Sequence, residues 1–320
     1  MSSLHPTLAL AFELSSAGRN EEALLLIEQL AEQGEPEALW VLGDVHWRGQ
    51  LVPIDMPRGR ELMRRAAEAA HPIATRAYTN LLASGAAGSR DWQGALARLA
   101  GEARGDSRRA QMLALIRRMD LDPEGNPRRV PQRQKVSDSP HILLFPNLFS
   151  AAECDYLIEV AEPTFEPSLV ADTSGTNRPD PVRTSDGSTM HWLIEDPAIH
   201  ALNRRLAAVS GSAWEQGEPL QILRYSPGQQ YRNHVDYVPG IDNQRIKTAL
   251  VYLNTDFEGG ETAFVKAGLM VKARKGNAIV FRNALPDGRA DPMCEHAGLP
   301  VTRGVKYLAS RWIRERRHIV

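Results

Sequence analysis

The chain has 320 residues, of which 42% are apolar and 24% charged, and this length and composition are typical of about two soluble domains. The formal net charge of −1 gives no sign of binding to nucleic acid. No apolar run approaches the roughly 20 residues that span a bilayer, and the first residues lack the basic and apolar regions of a secretory signal. Two cysteines, Cys154 and Cys294, are too few for a disulfide framework, so a cytoplasmic protein without nucleic-acid or membrane partners is predicted.

Residues 1–120 are predicted to form a helical repeat domain. The stretch Ala31–Ala38 matches Ala67–Ala74 at a spacing of 36 residues, and a period in the thirties is typical of stacked helical hairpins. The run Ala38–Gly43, followed by Asp55-x-x-x-Gly59, resembles Sel1-like repeats, which are relatives of the tetratricopeptide repeats. The resemblance implies binding of a protein or peptide. A cap that only stabilises the second domain is the alternative, and both remain open.

Residues 121–140 are rich in proline and charge and are predicted to be a linker. Residues 141–320 then show short β-rich runs separated by Gly and Pro turns. Many short strands with two outer helices predict a double-stranded β-helix, or jelly roll. The predicted helices are 151–161, opened by a Ser150/Glu153 capping box, and 197–210. The predicted strands are 141–145, 220–225, 231–236, 247–253, 261–265, 269–273, 277–282, 293–297 and 305–314.

A candidate metal site begins at His234-Val-Asp236. Residues two apart in a strand point to the same face, so this imidazole and carboxylate can meet at one ion. His296 on a late strand supplies a third ligand, and this set matches the facial triad of non-haem Fe(II). Lys306 follows ten residues later and is predicted to be buried, where an ammonium needs an anion. Both histidines must be neutral to bind a metal, which predicts loss of activity below about pH 6.

Five motifs follow one another in the second domain: Tyr225-x-Pro-Gly-x-x-Tyr-x-x-His234-x-Asp236, Arg245-x-x-Thr248-Ala-Leu-x-Tyr-Leu-Asn254, Glu258-Gly-Gly-Glu-Thr-Ala-Phe264, Gly276-x-Ala-Ile-x-Phe281 and His296-x-Gly-x-Pro-Val-x-x-Gly-x-Lys306. Together they resemble the prolyl 4-hydroxylase branch of the Fe(II)/2-oxoglutarate dioxygenases. The resemblance covers nearly the whole second domain, and it implies an enzyme that uses Fe(II), 2-oxoglutarate and O2, releases succinate and CO2, and takes ascorbate as reductant.

The resemblance also implies roles for single residues. His234, Asp236 and His296 would bind Fe(II), and Lys306 would pair with the distal carboxylate of 2-oxoglutarate. Tyr225 would hydrogen-bond the same co-substrate, and Thr248 would line its pocket. Trp312 is interpreted as a core aromatic residue.

The sequence indicates the iron chemistry more clearly than it indicates the substrate. Arg183 and Arg245 match positions near the substrate in relatives, and the polar segment 171–188 is predicted to be a mobile lid beside the turn 237–245. The first hypothesis is hydroxylation of prolyl residues in a protein or peptide that the repeats help to recruit. The alternatives are the same chemistry on a free amino acid or small metabolite, and a catalytically silent binding or sensing protein.

Overall fold

The computed structural model describes residues 4–171, 177–272 and 274–318. The chain divides into two compact units, of which the first runs to Leu113 and includes 192–197, and the second holds 114–191 and the chain from Ala198 onward. The first unit is helical and the second is built on antiparallel sheets, which confirms the predicted fold class. No helix in these ranges is long and apolar enough to cross a membrane.

Seven helices in the described residues precede the first strand. Five of the first six, all but α2, begin at a proline or at a residue whose side chain caps the helix, and two of them end at a left-handed glycine. The helices are α1 (Pro6–Ser16), α2 (Asn20–Glu32), α3 (Pro36–Arg48), α4 (Met56–Glu68), α5 (Pro72–Ser84), α6 (Trp92–Glu102) and α7 (Ser107–Ile116).

The 36-residue repeat is visible in the helix caps. Equivalent capping residues recur at that spacing, namely Glu35 and His71, Gly49 and Gly85, and Asp55 and Asp91. Helices α3 and α4 approach closely, because a Cβ atom placed on Gly59 would lie 2.7 Å from the carbonyl oxygen of Gly43. The sequence period therefore does correspond to stacked helical hairpins.

The segment 192–197 belongs to the helical unit, although it lies inside the range 141–320 that the sequence assigns to the catalytic domain. Leu193 is buried in a cluster with Trp47, Met63 and Leu81. Its carbonyl oxygen accepts a hydrogen bond of 2.7 Å from the Asn80 side chain. Packing of Leu193 and the hydrogen bond from Asn80 thus hold this segment in the helical unit. No pattern in the sequence indicates these contacts.

In its described residues the second unit contains two α-helices after the first strand, α8 (Ala151–Ala161) and α9 (Pro197–Ser210), and α8 opens with the predicted capping box. Its strands are β1 (Gln134–Asp138), β2 (His141–Phe145), β3 (Glu166–Pro167), β4 (Leu169–Ala171), β5 (Asn177–Pro179), β6 (Asp186–Met190), β7 (Leu220–Tyr225), β8 (Tyr231–His234), β9 (Arg245–Tyr252), β10 (Phe257–Gly259), β11 (Thr262–Phe264), β12 (Leu269–Val271), β13 (Ala278–Arg282), β14 (His296–Gly298), β15 (Val301–Gly304) and β16 (Lys306–Arg314).

Two sheets carry the residues that the sequence analysis predicts for the site. The larger has the order β1-β2-β13-β9-β16-β7-β6-β3 and the smaller β12-β11-β14-β8. A core of apolar residues from both sheets includes Ile142, Leu250, Phe264 and Phe281. Strands β8 and β14 pair with His234 opposite His296, and β7 and β16 pair with Tyr225 opposite Lys306.

The structure differs from several predicted elements. The predicted linker 121–140 contains β1, which pairs with β2 at the end of the large sheet. Part of the predicted lid, 171–188, is strand β6, which pairs with β7, and residues 172–176 of that lid lie outside the described residues. Both segments are polar, so their strands depend on pairing with a neighbour rather than on apolar alternation.

Candidate active site

Three side chains with metal-binding atoms converge where β8 meets β14. His234 ends β8, Asp236 follows two residues later, and His296 opens β14. The Nε2 atom of His234 lies 3.7 Å from Oδ1 of Asp236, and Nε2 of His296 lies 3.7 Å from Oδ2. One ligand atom from each residue lies within 4.8 Å of the other two. The predicted strand over 231–236 is too long, but Asp236 still meets His234 because the chain turns immediately after the strand.

Backbone carbonyl groups orient both imidazole rings. The Nδ1 atom of His234 lies 2.8 Å from the carbonyl oxygen of Arg232, and Nδ1 of His296 lies 2.9 Å from that of Cys294. A carbonyl oxygen only accepts, so each Nδ1 carries the proton and each Nε2 keeps its lone pair. The ring of Tyr231 stacks on His234 at a centroid distance of 3.4 Å and fixes that imidazole further.

The protonation states suit metal binding. Burial, followed by the neighbouring His296, lowers the pKa of His234 to about 3. Burial opposes ionisation of Asp236, but the two imidazoles and the Thr248 hydroxyl outweigh it and hold the pKa of Asp236 below its ordinary value. The expected loss of activity near pH 6 assumes an unshifted imidazole, and for His234 the structure moves protonation to more acidic pH.

These three residues fit Fe(II). Two neutral imidazoles and one carboxylate are the donors of the facial triad, which leaves coordination positions open for other ligands. The Nδ1–H group of each histidine donates to a backbone carbonyl oxygen, as is common for histidines that bind a metal through Nε2.

Lys306 lies in the same cavity as the three donors. Its side chain is 1% exposed, and its ammonium donates a hydrogen bond of 2.8 Å to the Gly260 carbonyl oxygen. Burial lowers the pKa of Lys306 to about 8, although the charge of Glu261 partly opposes that shift. Among the described residues no carboxylate lies within salt-bridge distance of this ammonium. The group can therefore receive an anionic ligand.

The cavity around these groups is also lined by Arg183, Tyr231 and Trp312. Arg183 is buried and lies over the Tyr231 ring at 5.1 Å. Trp312 is 5% exposed, as expected of a core aromatic residue, but its Nε1 atom is buried and has no hydrogen-bond partner in the described part of the chain. Tyr231 is missing from the site residues that the sequence indicates, although its place three residues before His234 was a usable signal.

Two predicted co-substrate residues do not line this cavity. Tyr225 is buried beside Lys306, with its ring centroid 5.0 Å from the ammonium. Thr248 lies behind Asp236, and its hydroxyl donates a hydrogen bond of 2.6 Å to Oδ2. Thr248 therefore contacts the carboxylate of a metal donor, and its place in the co-substrate pocket stays a prediction.

Arg245 is held by an ion pair beside Trp312, which lines the cavity. Its guanidinium donates hydrogen bonds of 2.6 and 2.8 Å to Glu218 and lies 3.9 Å over the ring of Trp312. Arg314 pairs with the same carboxylate at 2.6 Å. Glu218 thus pairs with both arginines and holds Arg245 over Trp312, and its sequence position carries no signal for this role.

Comparisons with known proteins find similar sequences and structures. The family model described as the 2OG-Fe(II) oxygenase superfamily matches residues 220–314. Prolyl 4-hydroxylase 1 of Arabidopsis thaliana is 37% identical over 201 residues, which are 57% of this chain and 71% of that protein. A 2OG complex of the viral collagen prolyl hydroxylase from Paramecium Bursaria Chlorella virus-1 aligns at 30% identity with a TM-score of 0.46, over 56% of this chain and 98% of that one. A Sel1 repeat protein from Oxalobacter formigenes aligns at 22% identity with a TM-score of 0.31, over 34% and 85%.

The fold and the ligand set define an iron-dependent oxygenase that takes 2-oxoglutarate as co-substrate. Within that class, the chain belongs to the prolyl 4-hydroxylase family of the 2OG-Fe(II) oxygenase superfamily.

Proposed function

We propose that this dioxygenase hydroxylates prolyl residues of a protein or peptide. His234, Asp236 and His296 hold Fe(II), and Lys306 binds the distal carboxylate of 2-oxoglutarate. The observation that carries the proposal is one cavity that contains three metal donors and a buried ammonium without a carboxylate partner among the described residues. Relatives named prolyl 4-hydroxylases support the choice of substrate.

When bound, Fe(II) supplies the oxidative decarboxylation of 2-oxoglutarate with O2 to succinate and CO2, and the hydroxylation of a substrate C–H bond. The chain binds and orients the reactants. Lys306 fixes the far end of the diacid, while Arg183, Tyr231 and Trp312 surround the part of the cavity beside the metal donors. The burial of Arg183 and Trp312 limits water around the reacting atoms.

A proline-rich peptide is expected to gain one oxygen atom per succinate formed. The full-length enzyme is incubated with Fe(II), 2-oxoglutarate, ascorbate and the peptide, and the product is located by tandem mass spectrometry. The matched control is the same peptide with alanine at each proline, which should remain unmodified. Equal turnover of free proline would favour the small-metabolite alternative, and modification of the alanine peptide would contradict prolyl hydroxylation. The intact ligand set and Lys306 argue against a catalytically silent protein.

The helical unit is proposed to recruit the substrate. It contains a cleft of about 320 Å³ lined by Phe12, Ile27, Trp40 and Val41, among others. Aromatic grooves suit proline-rich segments, whose extended helix is already formed before binding. The Sel1-like character of the repeats, the use of ascorbate and a cytoplasmic location belong to the same proposal; the last agrees with the unpaired, buried Cys154 and Cys294.

Substitution of Phe12 with alanine is expected to raise the KM for a long proline-rich peptide roughly tenfold, since one good aromatic contact is worth a little over 1 kcal/mol. The KM for 2-oxoglutarate should not change. Leu25→Ala is the control, because Leu25 is 54% exposed and does not line the cleft. An unchanged peptide KM in the Phe12 variant would show that the cleft does not take part in recruitment.

A further inference from the structure

Two fully buried polar side chains stand behind Asp236, one after the other. The Thr248 hydroxyl donates a hydrogen bond of 2.6 Å to Oδ2 of Asp236. The side-chain amide of Asn283 then donates a hydrogen bond of 2.9 Å from Nδ2 to the Thr248 oxygen. Both residues are 0% exposed. Thr248 lies on β9, and Asn283 follows the last residue of the neighbouring strand β13.

The direction of these hydrogen bonds is fixed by chemistry. An ionised carboxylate only accepts, so the single hydroxyl proton of Thr248 must point at Asp236. The oxygen of Thr248 can then only accept, which requires the amide nitrogen of Asn283 to face it. If the amide were flipped, its oxygen would compete with Asp236 for the hydroxyl proton. The observed orientation keeps that proton on Asp236, even though Oδ1 of Asn283 is buried and has no hydrogen-bond partner in the described residues.

The backbone of Asn283 also supports the segment that carries His296. Its carbonyl oxygen accepts a hydrogen bond of 3.0 Å from the Asp291 amide and a contact of 3.8 Å from the Cys294 thiol. The carbonyl of Cys294 in turn orients the His296 ring at 2.9 Å. One residue thus supports two of the three metal donors, through its side chain and through its backbone.

We propose that Asn283 is a positioning residue of the iron site and that it acts through Thr248. The pair holds Oδ2 of Asp236 in a hydrogen bond, so that Oδ1, which receives no hydrogen bond from the described residues, is presented to the metal. The inference rests on the proposed role of His234, Asp236 and His296 as iron ligands. It gives Thr248 a different role from the pocket-lining one that the sequence suggests.

The test measures metal affinity rather than turnover. Full-length variants are titrated anaerobically with Fe(II) against a chelator of known affinity, and with Co(II) to record its visible spectrum. Thr248→Val should weaken Fe(II) binding by about 10- to 100-fold, the usual scale for loss of a partner to a metal ligand. Thr248→Ser keeps the hydroxyl and should stay within about threefold of the wild type. Asn283→Leu removes the amide while nearly keeping its volume, and should weaken binding by roughly three- to tenfold.

The double variant separates positioning from mere packing. Because Asn283 acts through Thr248, the double variant Thr248→Val/Asn283→Leu should bind Fe(II) as tightly as the single variant Thr248→Val. The Co(II) spectra of the double and the single variant should also agree. If Asn283→Leu does not fold, Asn283→Ala takes its place in the same cycle. Equal Fe(II) affinity in Thr248→Val and wild type, or additive losses in the double variant, would overturn the proposal. If Asp236→Ala binds Fe(II) as tightly as wild type, the ligand assignment itself fails, which is a distinct result.

Discussion

Substitution of Asp236 with alanine is expected to abolish succinate formation. The side chain is the one carboxylate among the three convergent donors, and its loss leaves two imidazoles that hold Fe(II) weakly. The rate of succinate formation should fall roughly 1,000-fold or more, because the reaction loses the Fe(II) ion that activates both O2 and 2-oxoglutarate. Succinate release and peptide hydroxylation, measured at saturating Fe(II), check the expectation.

Folding should survive this change. Asp236 is 4% exposed and accepts a hydrogen bond from the buried Thr248 hydroxyl, so its loss should cost about 1–3 kcal/mol, and the metal-free variant should melt several degrees below the wild type but still cooperatively. Asp236→Glu is the matched control, since it keeps a carboxylate but displaces it by one methylene group. Wild-type turnover in a folded Asp236→Ala protein would remove Asp236 from the site.

Substitution of Lys306 with methionine is expected to raise the KM for 2-oxoglutarate by roughly 100-fold or more, since loss of one partner of a buried ion pair costs about 3–5 kcal/mol. Methionine nearly keeps the length of the side chain and removes the charge. Fe(II) affinity should change little, because Lys306 is not among the three convergent donors. Initial rates at varied 2-oxoglutarate give the KM.

The contribution of the charge can be isolated with a second ligand. The wild type should strongly prefer 2-oxoglutarate to 2-oxopentanoate, which has the same length but lacks the distal carboxylate. Lys306→Met should lose that preference, and a retained preference would contradict the ion pair.

The pH dependence of the affinity for 2-oxoglutarate has a defined sign. The free ammonium, with a pKa of about 8, loses its proton as the pH rises. The affinity for 2-oxoglutarate should therefore be constant below pH 8 and fall above it.

The sequence predicts the main iron-site candidates because their spacing carries information. His234 and Asp236 are two residues apart, and His296 and Lys306 lie ten apart within ordered motifs. Antiparallel pairing then places His296 opposite His234, and Lys306 opposite Tyr225. The 36-residue repeat is equally readable, because its caps and glycines recur at one spacing.

Residues that act through partners could not be predicted in this way. Glu218 matters because it pairs with Arg245 and Arg314, and Asn283 because it touches Thr248. These pairs join separate strands, and their residue types are common on surfaces and in turns. The polar strands β1 and β6 were missed for a related reason, since only their neighbours in the sheet define them. The predicted domain boundaries at 120 and 140 stay predictions.

A crystal structure of the protein with Fe(II) and 2-oxoglutarate, recorded under anaerobic conditions at the iron absorption edge, tests the site most directly. The expected map has one strong anomalous peak bonded to Nε2 of His234, Nε2 of His296 and Oδ1 of Asp236, with the far end of the diacid at the ammonium of Lys306. An iron peak elsewhere, or a diacid that lies away from Lys306, would contradict the assignment of these residues to iron and co-substrate.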